Sequence, residues 1–463
     1  MTRERYGSAV AVGGGIGGSM AARVLSDHFE RVTVLEEDVF PDSAEQRRGV
    51  PQGNHIHGLL SRGRSVLDTY YPGFTEEAVG RTAHLVKQTS EIRDHRRYGW
   101  APRFESPLRV LLLSRPLLEL IIRSRTMQIS NVTYRGSHKV LDLVSEDGET
   151  VTGVRYRNAA GENAEMRADL VVDASGRRSD ASKWLKNLGY EPPETVTVDG
   201  RWSYSSCFVR TSPGWDPGWK ATTAHPIGSV TEGPRRFRGA SMLRQDGERR
   251  WIITLWGSGG ERPPGDPAGF FDYLRSVGYL DEAIPHVELL NEPAAWSATA
   301  NRLRRFELMK SRPENFVLLG DAVAAFNPVY GQGMTMAMVG AVDLETELVE
   351  QRKRGADGLH GLAGRFQSRL AESSQLPWKL STGGDFRVAR LAGFAETPQD
   401  PKDAALQAYM DRIDALSSED DELKLKLLET LHLVRDPGWL TDDEDLRQRV
   451  TADWDRLGKM VGV

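Results

Sequence analysis

The sequence predicts an α/β fold in three parts: a parallel sheet wound with helices, a mainly antiparallel sheet inserted into it, and a C-terminal helical region. Three observations carry this. Short continuous apolar runs, "SAVAV" at 8–12, "ADLVVD" at 168–173 and "NFVLLGD" at 315–321, suit strands buried on both faces of a parallel sheet. Between about 200 and 300 the character changes: "RWSYSSCFVR" and "RRWIITLWGSG" mix aromatic and β-branched residues, as in an antiparallel sheet with one covered face. After 345 the chain is mostly helical and charged, ending in "DDELKLKLLETLHLV" and a last amphipathic stretch, which reads as a helical cap on the core. Parallel-style strands lie on both sides of the aromatic stretch, so the second sheet is expected to be an insertion.

The elements follow in order. "SAVAV" is a strand, "GGSMAARVLSDHF" (17–29) its helix and "RVTVLEED" (31–38) the next strand, a βαβ unit of the usual length. Residues 41–57 have loop composition. "RPLLELIIRSRTM" (115–127) shows helical spacing at Leu117, Leu118, Ile121 and Ile122. "KVLDLVSEDGETVTGVRYR" (139–157) reads as strand, turn, strand about Asp147-Gly148. The expected boundaries are 1–83, 109–199 and 306–345 for the parallel-sheet domain, 84–108 and 200–305 for the insertion, and 346–463 for the helical cap. There is no internal repeat or low-complexity segment.

A chain of 463 residues exceeds one ordinary core, and 27% charged with 39% apolar residues is the balance of a soluble globular protein. A net charge of −5 gives no basic footprint for nucleic acid. The single cysteine, Cys207, cannot form an intramolecular disulfide, and no Cys/His spacing suggests a metal site, so a reducing cytoplasm is expected. The apolar run at the N-terminus is too short and too glycine-rich for a signal peptide. No window approaches the ~20 apolar residues of a membrane helix, so stable membrane insertion is not expected.

The clearest motif is Gly13-x-Gly15-x-x-Gly18, with Ile16 and Gly17 inside it. It follows a strand, opens a helix, and precedes Glu36, which stands at the end of the next strand and beside Glu37. That is the context of a Rossmann-like dinucleotide site. Gly13 allows the tight turn, Gly15 lets a pyrophosphate approach the backbone, and Gly18 lets helix and strand pack closely. The helix start supplies N–H groups and positive potential, and Glu36 can accept from ribose hydroxyls. A second stretch, "GDAVAAFNPVYGQGM" (320–334), decides between dinucleotides. Asp321 follows a buried strand, and Pro328, Gly331, Gln332 and Gly333 bring backbone to another helix start at Met334. Such a start suits charge developing at the N1–C2=O edge of a reduced flavin, so the cofactor is read as FAD.

Together "GGGIGG", "DASG" (173–176) and "GDAVAAFNPVYGQGM" resemble the FAD-dependent monooxygenases of the aromatic-hydroxylase fold. "RRGVPQGNHIHGLL" (47–60), "RPLLEL" and "RWIITLWGSGGERPP" make the chain similar to the bacterial squalene-epoxidase-like polyether epoxidases. The resemblance runs from about 8 to 345; the tail, with "LPWKLSTGGDFR" (376–387), informs function less. It implies Glu36 at the adenosine ribose, Arg47 or Arg48 over the phosphate–ribityl region and Arg115 reaching FAD. It further implies Val140 at adenine through its backbone, Gly320 and Asp321 at the linker, and Gly333–Met334 at the ring.

The resemblance also implies that the oxidant is a flavin C4a-hydroperoxide, with no catalytic protein residue and no metal. His55 and His57 are then structural residues beside the flavin loop. The "DASG" segment departs from the Asp-Gly pair of NADPH-using hydroxylases, which leaves electrons coming from NAD(P)H directly or through a separate flavin reductase. Trp202, Tyr204, Phe208, Trp251 and Trp256 are candidate pocket walls, about half of them core because side chains alternate along a strand. The expected activity is insertion of one oxygen from O2 into a lipophilic specialised metabolite, by alkene epoxidation. The alternatives are hydroxylation of an arene or phenol, halogenation, prenyl reduction, and a non-catalytic FAD-binding module. The Trp-x-Trp-x-Ile-Pro stretch of halogenases is absent.

Overall fold

Four strands of the first domain end at one edge, and that edge is where the loops that carry the motifs meet. In the computed structural model, which describes residues 5–224, 237–355, 358–396 and 400–462, a five-stranded parallel sheet forms the centre. Its spatial order is Phe316–Leu318, Leu170–Asp173, Tyr6–Val12, Phe29–Leu35, Val132–Arg135. Val10, Val34, Val171 and Val317 are buried because helices cover both faces of the sheet. Helix Ile16–His28 packs Met20, Ala21, Val24 and Leu25 into this core, and helix Gly333–Lys353 adds Met338, Ala341 and Leu344. Parallel register leaves the loops after Val12, Leu35, Asp173 and Leu318 on the same side, the usual place for a ligand in an open α/β sheet.

The inserted sheet runs in the order Val287–Leu289, Ser203–Thr211, Arg250–Gly257, Arg238–Arg244, Ala221–Ala224, Ile92–Arg96, Gly99–Trp100, with Ala294–Trp296 also pairing Ser203–Thr211. One covered face is expected from the sequence; both faces of the two central strands are in fact buried. Cys207, Val209, Trp251, Ile253 and Leu255 point to one side and pack with Trp219, Phe270 and Leu274 of the following segment and helix Pro267–Val277. Tyr204, Ser206, Phe208, Ile252, Thr254 and Trp256 alternate to the other side, which faces the parallel-sheet domain. The polar look of that second face comes from Ser206 and Thr254, whose hydroxyls satisfy each other at 2.8 Å inside the protein.

Three smaller sheets are present among the described residues, one of them the pair His84–Lys87 and Arg109–Leu112. Lys139–Val144 and Gly153–Arg157 form the expected hairpin, extended by Asn163–Arg167. Thr195–Val198, Asn301–Arg304 and Ala324–Ala325 form another, which joins residues across the expected boundaries at 199/200 and 305/306. The expected boundary at 345/346 falls inside helix Gly333–Lys353. Helix Leu362–Leu391 then packs along it, and the last helices, from Pro401–Leu416 onward, gather round Ile413, Leu423, Leu446, Val450 and Leu457.

Trp251 therefore belongs to the core behind the inserted sheet, where its ring meets Trp215 and Trp219 edge-on. Trp251→Ala is expected to lower unfolding free energy by about 3–5 kcal/mol, read from the denaturant midpoint.

Candidate cofactor and substrate site

The glycine turn is built by steric necessity. Gly13 has φ +95°, its N–H donates to the Leu35 carbonyl at 2.8 Å, and a side chain there would meet the Ala174 carbonyl. A Cβ on Gly18 would overlap the Gly13 carbonyl oxygen, so helix and turn can close only on glycine. Gly17 lies against Leu319, and Ile16 is buried as the first residue of the helix. Gly15 is different: around its missing side chain the nearest atom is Nη2 of Arg47 at 3.9 Å. The helix carries no side-chain N-cap, which leaves its first N–H groups for a ligand.

Charged groups line the space beside that turn. Glu36 accepts from the Gly14 N–H at 2.6 Å and from the Asp38 N–H at 2.9 Å, which pins its carboxylate against the glycine loop. Arg47 is buried, with its guanidinium on Glu119 Oε2 at 2.8 Å, Glu36 Oε2 at 3.3 Å and Asp38 Oδ2 at 3.6 Å. Arg115 reaches the other oxygen of Glu119 at 2.7 Å. Burial opposes the charge on Glu119, yet Arg115 and Arg47 outweigh it and hold the carboxyl below its ordinary range. Burial likewise works against Arg47, and Glu119 and Glu36 raise it above its usual value.

Of the two adjacent arginines only Arg47 enters; Arg48 is exposed and makes no ion pair among the described residues. Glu37 also turns away, exposed and paired with Lys139 at 2.8 Å. Alternation along the strand end sends it to the side opposite Glu36. Val140 is buried two residues beyond His138, whose N–H donates to the Glu36 carbonyl at 2.8 Å.

The segment 320–334 faces the same space. Asp321 sits in the single turn Gly320–Ala322, 3.7 Å from where a Cβ on Gly333 would stand. It has no hydrogen-bond partner among the described residues, and burial raises its pKa against the opposing pull of Arg177, Arg115 and Arg302. Arg177 and Arg302 are residues the sequence reading misses. Arg177 is anchored on the Ala300 and Phe326 carbonyls at 2.6 and 2.9 Å, and Arg302 donates to the Arg177 carbonyl. Pro328 is exposed and opens the turn Pro328–Tyr330; Gly331 follows with φ +66°. Gln332 is buried with its Oε1 unpartnered among the described residues, Gly333 begins an uncapped helix, and Met334 is buried.

Open backbone at Gly15, two uncapped helix starts, an unpartnered carboxylate and a buried amide oxygen unpartnered among the described residues form a donor and acceptor set of the kind that suits a dinucleotide. Residues 8–365 match the family model described as FAD binding domain. The chain belongs to that family. It is 31% identical over 398 residues to protein Rv3254 of Mycobacterium tuberculosis, covering 81% of this chain and 80% of that one. It is 26% identical over 439 residues to kynurenine 3-monooxygenase of Salinispora tropica, covering 84% and 85%. Among solved structures, the flavin-dependent brominase Bmp2 aligns over 97% of this chain and 98% of its own with a TM-score of 0.65 at 13% identity, a likeness of fold. This flavoprotein is an enzyme of the FAD-dependent monooxygenase type.

Beside this edge, the inserted sheet of the flavoenzyme supplies a buried aromatic cluster, its rings only 1–4% exposed. Trp202, Tyr204 and Trp256 pack with Ile56, Trp296, Val388 and with Val329 from the 320–334 segment. Phe208 lies on the same face farther along and lines a separate recess of about 310 Å³ with Asn54, Ser114, Pro116 and Asn291. His55 is edge-on to Tyr204 at 4.6 Å between ring centres, and its Nδ1 lies 3.0 Å from the Ser206 hydroxyl. His57 donates from Nδ1 to the His55 carbonyl at 2.9 Å. His57 is half-buried. Burial pushes the pKa of His55 down to about 4, and burial with Arg115 takes His57 to about 3.

Asp173 accepts from the Ser175 N–H and hydroxyl at 2.9 and 2.6 Å and from the Ser179 hydroxyl at 2.6 Å, so its carboxylate is spent inside its own turn. Among the described residues no cluster of His, Cys, Asp or Glu could hold a metal ion.

Asp321→Ala is expected to weaken FAD binding at least ~10-fold in a titration of the apoprotein, the loss of one charge-assisted hydrogen bond or more. Arg48→Ala is expected to change it by less than about twofold, as for a solvated surface charge.

Proposed function

We propose that this flavoenzyme inserts one oxygen atom from O2 into a lipophilic small molecule, at a carbon–carbon double bond. Bound FAD supplies two-electron redox chemistry and the activation of O2. The chain's own work is to bind, orient and keep water out. The observation that carries this reading is the shared wall: Val329, from the segment that starts the second cofactor helix, packs in one cluster with Trp202, Tyr204 and Trp256. A π-rich substrate that meets the margin of this cluster lies beside the segment read as the FAD site.

The choice of an alkene rests on proton chemistry. Oxidation of a phenol gains from a base that takes its proton. The two imidazoles of the cleft, His55 and His57, are driven to about 4 and 3, so they stay neutral at pH 7 and accept a proton poorly. Tyr204 is held protonated by burial, above its ordinary range. An alkene needs no such base. The second reading, hydroxylation of an arene, is favoured by the 26% identity to a kynurenine 3-monooxygenase across most of both chains.

In either reading the electrons come from NAD(P)H, directly or through a separate flavin reductase. We place the protein in the cytoplasm. Its one cysteine, Cys207, is buried, and no described helix is long and apolar enough to cross a membrane.

The test is incubation of the reduced holoenzyme with 18O2 and matched panels of terpenoid or polyene alkenes and of phenols, with product mass as readout. One 18O atom in an epoxide is expected. Label confined to phenol products would favour the second reading, and label in neither would overturn both.

A further inference from the structure

We propose that Asp385, in the C-terminal helix Leu362–Leu391, is a positioning residue that locks the cofactor segment Asn327–Gly333 to the aromatic wall, making the tail helix part of the working site. This rests on the reading of that segment as part of the FAD site. The sequence stretch "STGGDFR" looks out of place in a helix, because two adjacent glycines weaken it. The structure explains the second of them, Gly384. A Cβ on Gly384 would overlap the hydroxyl of Tyr330, and the bare helix surface lets that side chain of the cofactor segment lie against it. Asp385 follows at once and is fully buried.

Five donors converge on its carboxylate. Trp202 Nε1 donates at 2.9 Å, Asn301 Nδ2 at 2.8 Å, Asn327 Nδ2 at 3.0 and 3.2 Å, the Gly200 N–H at 3.4 Å and the Tyr330 hydroxyl at 3.5 Å. The orientation of both amides is fixed from their far ends. The Asn301 oxygen accepts from the Ser381 hydroxyl at 2.5 Å and from the Asn327 N–H at 2.8 Å. The Asn327 oxygen accepts from the Val329 N–H at 3.2 Å. Every partner of Asp385 is thus a donor, and no cation lies within ion-pair distance among the described residues.

A buried carboxylate without a cation is costly and is otherwise replaced by an apolar residue at little loss. Here burial pushes its pKa up to about 7, and the hydrogen bonds from Asn327, Gly200 and Trp202 pull the other way. What this arrangement provides is geometry. One rigid acceptor holds Asn327 and Tyr330 of the cofactor segment, Trp202 of the wall and Asn301 of the connecting sheet in a single relation. One helical turn on, Val388 completes the cluster of Trp202, Tyr204 and Trp256.

The experiment uses the full-length holoenzyme with Asp385→Ala, Gly384→Ala, Tyr330→Phe and the double variant Gly384→Ala/Tyr330→Phe. FAD affinity, the visible circular dichroism of bound flavin and far-ultraviolet circular dichroism are measured for each. Asp385→Ala is expected to weaken FAD about 10-fold or more and to change the visible signal of the flavin. Gly384→Ala leaves the carboxylate in place and displaces only Tyr330, so a folded protein with an altered flavin signal is expected. Removal of the Tyr330 hydroxyl in the double variant should return that signal part of the way. Folded Asp385→Ala and Gly384→Ala proteins with wild-type affinity and flavin signal would overturn the proposal. A wild-type chain that binds no FAD would overturn the functional reading and this inference with it, a distinct outcome because no variant is then involved.

Discussion

The parallel register of four strands is the constraint on which the site depends. Val12, Leu35, Asp173 and Leu318 end together, so segments separated by up to three hundred residues of chain emerge at one edge. No loop among them forms a binding site alone. The glycine turn offers backbone, Glu36 and Arg47 offer charge, and Asp321 with the 328–334 turn offers a second helix start. Sheet geometry also sets how the aromatic insertion meets this edge. It leaves and re-enters the first domain near this edge, so its Tyr204 face lies over the loops and its Trp251 face lies behind.

Buried charge is handled in two contrasting ways. Around Arg47 the charges compensate one another, with Glu119 bridging Arg47 and Arg115 while Glu36 and Asp38 complete the shell. Such a network holds its shape before a ligand arrives. Asp321 has cations around it but no hydrogen bond among the described residues, the state of an acceptor placed for hydroxyl groups of a ligand. Asp385 has the reverse, hydrogen bonds without a cation. The first carboxylate is arranged toward a ligand and the second toward the protein.

Much of the fold was legible because local chemistry dictated it. Helix 115–127 has the bounds its apolar spacing requires, with Ser114 capping the Leu117 N–H at 3.3 Å. The turn at Gly13–Gly18 can be filled by few other residues, so the sequence had little freedom there. What escaped the sequence was decided at long range. Arg47 and Arg48 are indistinguishable as neighbours, and the choice between them is made by Glu119, 72 residues away. Arg177 and Arg302 carry no local signature, and only the approach of residue 321 gives them a shared target. The tail reads as a cap because the partners of Asp385 lie 55 to 185 residues distant. The inserted sheet reads as covered on one face because a hydroxyl pair buried between two domains, as Ser206 and Thr254 are, has the same composition as an exposed one.

The most direct measurement is stopped-flow oxidation. The FAD-loaded protein is reduced anaerobically, mixed with O2 in the presence of a candidate alkene, and followed by its visible spectrum. An oxygen-inserting enzyme is expected to pass through a transient spectrum that belongs to neither reduced nor oxidised flavin, with its decay matched by epoxide formation. Direct, single-step return to the oxidised spectrum with no oxygenated product across the substrate panel would contradict the account.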